Sequence, residues 1–164
     1  MLALSTYSVV LALHIIAVLG AYGLPLAYPL MLPYLRRRHP RAMPGVHDVQ
    51  HRLNVILTGP GTVLILLFGL YLASRHHVFG KVWVQVPLAI IVLIGIIGAW
   101  VVRASSRMAE LARADVEAAP PGGVGGDVIW SPAYEALYGR YLRVEELLGV
   151  LVLLAVFFMA AKPF

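Results

Sequence analysis

The sequence predicts an all-α integral membrane protein, a bundle of four transmembrane helices. Three observations predict this fold class: the hydrophobic content, the length of the uncharged stretches and the arginines clustered between them. Of the 164 residues, 60% are hydrophobic and only 13% are charged, and the mean hydropathy is +0.83. Soluble domains of this size have a far more polar composition. The stretches without a formal charge are 1–35, 53–74, 82–102 and 147–161.

The lengths of these stretches set the predicted spans. The hydrocarbon core of a bilayer is about 30 Å thick, so a spanning helix needs roughly 20 apolar residues. The first three stretches reach that length, and the fourth reaches it when it begins near Val144 and carries Glu145 and Glu146 at its rim. Nothing outside the spans could build a second core, so residues 1–164 form one membrane domain. The predicted spans are about 8–30, 53–74, 82–102 and 143–162.

The cations predict the orientation. Ten of the 13 lysines and arginines fall between spans one and two or between spans three and four. Because such residues accumulate in cytoplasmic loops, we predict a protein of the inner (plasma) membrane with both termini outside. No cation precedes Arg36, and the first apolar run is too long for a signal peptide, so it is predicted to be retained. The basic residues that flank the spans also explain the pI of about 9.8. Because topology accounts for them, we expect no nucleic-acid partner.

Proline and glycine predict the irregular points of the helices. We expect a bend near Gly23–Pro25 in span one and a break at Gly59-Pro60-Gly61 in span two. The small residues Gly95 and Gly98 in span three predict a close approach of a neighbouring helix. In the cytoplasmic loop 103–141 we predict an amphipathic helix at 104–119 lying on the membrane surface, a turn from Pro120 to Gly126, and a new helix starting at Ser131-Pro132.

His14 is the most informative candidate site residue. It is the only Asp, Glu, Lys, Arg or His among the first 35 residues, and it falls about two turns inside span one. Ionisable groups inside a membrane face a partner, a cavity or a metal, and imidazole is a common haem ligand. The alternative is a buried histidine that hydrogen-bonds to a neighbouring helix. His76 and His77 follow span two on the same side, so one of them could bracket a b-type haem together with His14; alternatively, both are solvated.

A second group of candidates lies at the cytoplasmic rim. His47 and His51 are four residues apart, a spacing that places both on one helix face and can chelate a divalent metal. Glu145 and Glu146 need cations if they press against the hydrocarbon edge. Available cations are Arg52, Arg103 and Arg143. We expect an ion-paired belt, and the alternative is a propionate, quinone or proton site in which Arg52 contacts the cofactor.

Short motifs along the chain resemble a known family. They are Leu13-His14-Ile15-Ile16 in the first span, Gly69-Leu70-Tyr71-Leu72-Ala73 at the end of the second, Trp83 at the start of the third, and Phe158-Met159-Ala160-Ala161-Lys162-Pro163 at the end of the chain. With these motifs the chain resembles domain-of-unknown-function family 2269, small four-helix membrane proteins. The resemblance implies a fold and a location rather than an activity.

The first helix is also similar to two other groups of small membrane proteins. These are the HemJ-type protoporphyrinogen oxidases, in which a first-helix histidine is implicated in haem binding, and the CopD-like copper-resistance group. This similarity implies a haem-ligand role for His14. Leu19-Gly20 stands where the HemJ pattern has a tryptophan-containing segment, so the oxidase activity is not carried over.

Three functions remain open from the sequence. The first is a redox or electron-transfer component that binds haem b through His14. The second is a cofactor-free accessory or assembly subunit of a larger membrane complex, with other membrane subunits or further copies of this chain as partners in the bilayer. The third is a metal-handling protein that uses His47 and His51. No catalytic residue is assigned, and the absence of cysteine excludes thiolate chemistry.

Overall fold

A computed structural model of the protein describes residues 5–75, 77–120 and 128–163, and these residues are almost entirely helical. Four helical segments are each long and apolar enough to cross a membrane, which confirms the predicted fold class. They are Thr6–Arg38, Pro40–Arg75, Val82–Ala118 and Pro132–Ala161, called the first to fourth segments below. The individual helices are α1 (Thr6–Tyr22), α2 (Tyr28–Arg38), α3 (Met43–Leu53), α4 (Gly59–Arg75), α5 (Val82–Ala118) and α6 (Pro132–Ala161).

The first segment is interrupted where the sequence predicts a bend. Helix α1 ends at Tyr22, a 3₁₀ turn covers Pro25–Ala27, and α2 resumes at Tyr28. Proline has no backbone N–H, and its ring clashes with the preceding turn. The hydrogen bond that residue 25 would donate to the Ala21 carbonyl is therefore missing, and this carbonyl accepts from the Thr58 hydroxyl instead.

The second segment opens just before Gly59-Pro60-Gly61. Residues Asn54–Thr58 form a π-helical turn, in which the Gly59 N–H bonds to the Asn54 carbonyl five residues back. Pro60 has no N–H to complete the normal ladder, so one wide turn relieves the clash. The predicted break is confirmed, and it begins five residues earlier than the glycines.

The segments pack as two pairs that converge at the arginine-rich end. Helix α1 lies along α4, while α6 and α3 both lie along α5. Gly61 marks a close approach of α1 to α4, since a Cβ added there would lie 2.7 Å from the Ala21 Cβ. At the opposite end, which carries both chain termini, α4 and α5 make few contacts. The two pairs therefore separate there and leave space between them.

The predicted amphipathic segment is present, but it does not lie flat on the membrane. Helix α5 runs without a break from Val82 to Ala118, which is roughly 55 Å and far longer than the hydrocarbon core. Its last turns bury one face, including Ala104, Met108 and Ala112, while charged residues cover the other. This face packs on α3 and α6, and that packing holds the segment upright. Beyond Pro120, the predicted turn lies outside the described residues.

Replacing Gly61 by leucine should destabilise the packing of α1 on α4. The added side chain overlaps Ala21, and overpacking of this kind costs about 1–3 kcal/mol. Thermal unfolding of the detergent-purified protein, followed by circular dichroism, measures the loss. Gly139→Leu is the matched control, because a Cβ there meets no atom within 4 Å. Equal midpoints for both variants would contradict the close packing at Gly61.

Candidate functional site

A cleft of about 580 Å³ opens between the two helix pairs at the end that carries the termini. We call it the His14 cleft. Its walls are mostly aliphatic and aromatic, and all four segments contribute to them. The lining residues discussed below are His14, Gly69, Trp83, Met159 and Lys162.

His14 is buried on the wall of this cleft, with 6% of its surface exposed. One ring nitrogen, Nδ1, has no hydrogen-bond partner, and the ring's polar contact is with the backbone of Ile65. Gly69 of α4 faces the ring, and a Cβ at that position would lie 3.3 Å from the His14 Cε1. The chain thus presents an imidazole with an unused nitrogen beside an apolar space, where an unpaired polar atom is costly.

A cation lies at the cleft as well. The Lys162 ammonium sits 5.3 Å from the centre of the Trp83 ring, close enough for a cation–π contact. Lys162 caps α6 in the left-handed conformation, with φ of 45°, and its side chain is part of the lining. The positively charged residue of this cleft is therefore Lys162, which was not among the site residues predicted from the sequence.

The other predicted haem residues lie away from the His14 cleft. His77 is exposed in the turn after α4 and is not part of the lining, and His76 lies outside the described residues. Arg52 is exposed on α3, 17 residues before Gly69, which corresponds to roughly 25 Å along a helix. Of the four predicted cofactor residues, His14 alone is brought to the cleft among the residues described.

The proposed metal pair has other bonding partners. His47 is fully buried; its Nδ1 donates to Gln50 Oε1 at 2.7 Å, and its Nε2 accepts from the Tyr134 hydroxyl at 2.9 Å. His51 Nδ1 donates to the Val102 carbonyl at 3.1 Å. In the part of the chain that the structure describes, no three His, Cys, Asp or Glu residues gather. The metal site therefore stays a prediction that these contacts do not favour.

His47 belongs instead to an aromatic cluster that the sequence analysis missed. The Arg36 guanidinium lies 5.4, 5.6 and 4.7 Å from the ring centres of Trp130, Tyr134 and Tyr138, and it also pairs with Glu135. Tyr134 stacks between the other two rings. We call these residues the Arg36 cluster, and it ties the first, second and fourth segments together. The four-residue spacing of Tyr134 and Tyr138 was the available signal, since it places both on one face of α6; Trp130 precedes this helix.

A second cavity, of about 310 Å³, lies nearer the arginine-rich end. We call it the Glu145 cavity. Gly95 and Gly98 line it, and a Cβ added to either would meet no atom within 4 Å. The predicted close helix approach at these glycines is therefore wrong: the missing side chains leave open space instead.

The predicted ion-paired belt is also wrong for the carboxylate of Glu145. This side chain is 3% exposed and lines the Glu145 cavity, because its position on α6 points it inward, away from the belt. The three ion pairs among the described residues join Arg36 to Glu135, Arg107 to Glu110 and Arg113 to Asp48. Arg143 donates to the Gly139 carbonyl.

We expect the free energy of unfolding to fall as the pH is lowered from about 6.5 towards 4. His47 precedes the predicted span 53–74, and burial lowers its pKa to about 4, whereas an unfolded histidine titrates near 6.5. Below pH 6.5 the unfolded chain binds a proton that the folded chain does not, so this contribution to stability is lost through that window. Chemical denaturation at several pH values measures the slope. His47→Asn should flatten it and the exposed-site control His39→Asn should not; parallel curves for all three proteins would contradict the role of His47.

Comparison with known proteins gives a family but no characterised relative. No curated protein and no solved structure matches the chain. The weaker similarity of the first helix to HemJ-type and CopD-like proteins stays a prediction. Residues 8–163 match the family described as predicted integral membrane protein (DUF2269). This match covers nearly the whole chain, so the protein belongs to that family of membrane proteins.

Proposed function

We propose that the protein binds a b-type haem in the His14 cleft, with His14 as an axial ligand, and serves as a redox component of the membrane. The observation that carries this proposal is a buried imidazole, that of His14, on the wall of a large apolar cleft. Imidazole is a common axial ligand of haem iron, and Nδ1 of this ring is turned towards α4, so Nε2 would be the ligand atom.

The cleft suits a large, mostly apolar cofactor. Its volume of about 580 Å³ falls within the 300–1,000 Å³ typical of ligand pockets. Met159 lines the same cleft, and a methionine thioether serves as the second haem ligand in some cytochromes. Lys162 supplies a positive charge for a propionate, in place of the predicted Arg52. When bound, haem supplies reversible one-electron transfer; His14 and Met159 would hold it, and Trp83 would cover it.

The same family membership is compatible with a cofactor-free accessory subunit. In that case His14 would pack against Gly69, and the cleft would be filled by a side chain of a partner subunit or by a lipid. This alternative predicts a colourless protein, so a single spectrum separates it from haem binding.

A visible spectrum of the protein purified from haem-replete cells tests the proposal. We expect a Soret band and a haem content near one per chain. His14→Ala should lose most of the bound haem because it removes the ligand nitrogen, while its helical content stays that of the wild type. His77→Ala is the matched control and should keep the spectrum. A colourless wild type, or a His14→Ala protein with full haem content, would refute the proposal.

We further propose that the protein sits in the inner (plasma) membrane with both termini outside and the Arg36 cluster in the cytoplasm. The support is the distribution of lysine and arginine on either side of the four segments. Because the chain has no cysteine, single introduced thiols report their side cleanly. A membrane-impermeant maleimide should label Ser5→Cys in intact cells and Ala114→Cys only after permeabilisation. The reverse pattern would invert the topology.

A further inference from the structure

The Glu145 cavity has one polar wall in otherwise apolar surroundings. The polar side chains on this wall are Asn54, Thr58, Thr62 and Glu145, and the rest of the lining is aliphatic or glycine apart from Tyr22. Pro25 and Leu26, at the interruption of the first segment, close one side. Both breaks in the helices thus contribute to this cavity, one through its proline and one through the π-helical turn.

Two of the four polar side chains are satisfied within the protein. The Thr58 hydroxyl donates to the Ala21 carbonyl at 3.2 Å. The Thr62 hydroxyl donates to the Thr58 carbonyl and is 2.6 Å from the Tyr22 hydroxyl. These groups have little left to offer a ligand, so recognition at this wall falls to Asn54 and Glu145.

Asn54 and Glu145 have unused hydrogen-bonding capacity. Asn54 is 2% exposed, and its Nδ2 has no hydrogen-bond partner. Glu145 is equally buried, and Tyr141 lies beside both side chains without a well-formed hydrogen bond from its hydroxyl. No cation of the described residues forms an ion pair with Glu145. A buried amide nitrogen without a partner, beside a buried carboxyl that has no ion pair among the described residues, points to a missing ligand in this membrane segment.

The cavity is accessible from the side of the bundle. Four of its lining residues are also exposed on the bundle surface: Leu26, Val63, Gly95 and Ala99. In a bilayer that surface meets acyl chains, so a molecule dissolved in the lipid can enter without crossing water. The apolar part of such a molecule could remain outside among the lipids.

We propose that the Glu145 cavity binds the hydroxyl-bearing head of a lipid-soluble molecule such as a quinol. The ligand's O–H would donate to the Glu145 carboxylate, and its oxygen would accept from Asn54 Nδ2. A hydroxyl is the simplest group that satisfies both, because it donates and accepts at one atom. The volume of about 310 Å³ is at the low end for ligand pockets and suits a single ring or a short chain.

This inference does not rest on haem binding in the His14 cleft. The two cavities adjoin at Tyr22, Ile94 and Val152, but their candidate ligand groups are different. A protein that never contains haem could still bind a lipid-soluble hydroxyl compound at Glu145.

Binding to the purified full-length protein in lipid nanodiscs tests the proposal. The probes are a decyl-substituted benzoquinol kept reduced, its quinone, and farnesol, each titrated while ligand-dependent thermal stability and equilibrium binding are measured. We expect saturable quinol binding and clearly weaker quinone binding, since the quinone has no hydroxyl. Equal binding of quinol and farnesol would assign the site to the hydroxyl alone; preference for the quinol would assign it to a hydroxyl on a ring.

Variants separate recognition at the polar wall from general effects on folding. Glu145→Gln should weaken quinol binding about ten-fold, because one of the two acceptor oxygens is replaced by an amide NH₂ group that cannot accept the ligand's O–H. Glu146→Gln changes the neighbouring exposed carboxylate and should leave the affinity unchanged. Gly95→Leu fills the cavity from the opposite wall and should abolish binding, while Gly139→Leu should not. Circular dichroism and the unfolding midpoint verify that each variant is folded.

Several outcomes would overturn the proposal. They are the absence of saturable binding by all three probes, quinone binding as tight as quinol binding, and unchanged affinity in folded Glu145→Gln and Gly95→Leu proteins. Competition of quinol by sodium or potassium at millimolar concentration, absent in Glu145→Gln, would identify a cation site instead.

Discussion

Lipid offers no hydrogen bonds to a polypeptide backbone, and this constraint governs the whole molecule. Every N–H and C=O inside the hydrocarbon must be paired within the protein, which is why each crossing is helical. The places where the helical ladder fails are therefore informative. Among the described residues, a 3₁₀ turn at Pro40–Ala42 joins α2 to α3, and two further irregular turns interrupt the segments: the 3₁₀ turn at Pro25–Ala27 and the π-helical turn at Asn54–Thr58. Both of these interruptions border the Glu145 cavity. The irregular backbone is placed where it shapes an internal space.

The two ends of the bundle differ in how they are held together. At the arginine-rich end, charged and aromatic side chains stack closely, with Arg36 against three rings and Asp115 accepting hydrogen bonds from the Ser131 backbone N–H and hydroxyl. At the other end, small and aliphatic residues leave the His14 cleft between the helix pairs. The close packing at the arginine-rich end thus holds the bundle together, while the helix pairs stay apart around His14 at the other end.

Much of the fold could be predicted from the sequence because the bilayer imposes a length and a composition. The uncharged stretches identify the four segments, and proline identifies both interruptions. Depth could also be predicted, which is how His14 was selected. The direction in which each side chain points around the helix axis could not be predicted, since the spans are apolar on nearly every side. For that reason Gly95 and Gly98 were assigned to a helix contact although they face a cavity.

The same missing information explains the errors at the rim. Glu145 was assigned to an ion-paired belt from its depth, whereas its position on α6 turns it inward. His47 and His51 do share a helix face, but their partners Tyr134 and Val102 come from distant parts of the chain. Such pairings depend on tertiary contacts, and spacing within one helix does not encode them. Family membership does not supply them either, because it extends to fold and location only.

The unequal packing of the two ends has a mechanical consequence. The interruptions of the first and second segments both lie between the Arg36 cluster and the His14 cleft along the chain, so a rotation at these points would leave the Arg36 cluster in place. Because α1 is roughly 25 Å long, a rotation of about 5° at its end near Pro25 would move its other end by about 2 Å. A bulky guest could then be exchanged through a local widening of the bundle, with no helix having to unwind.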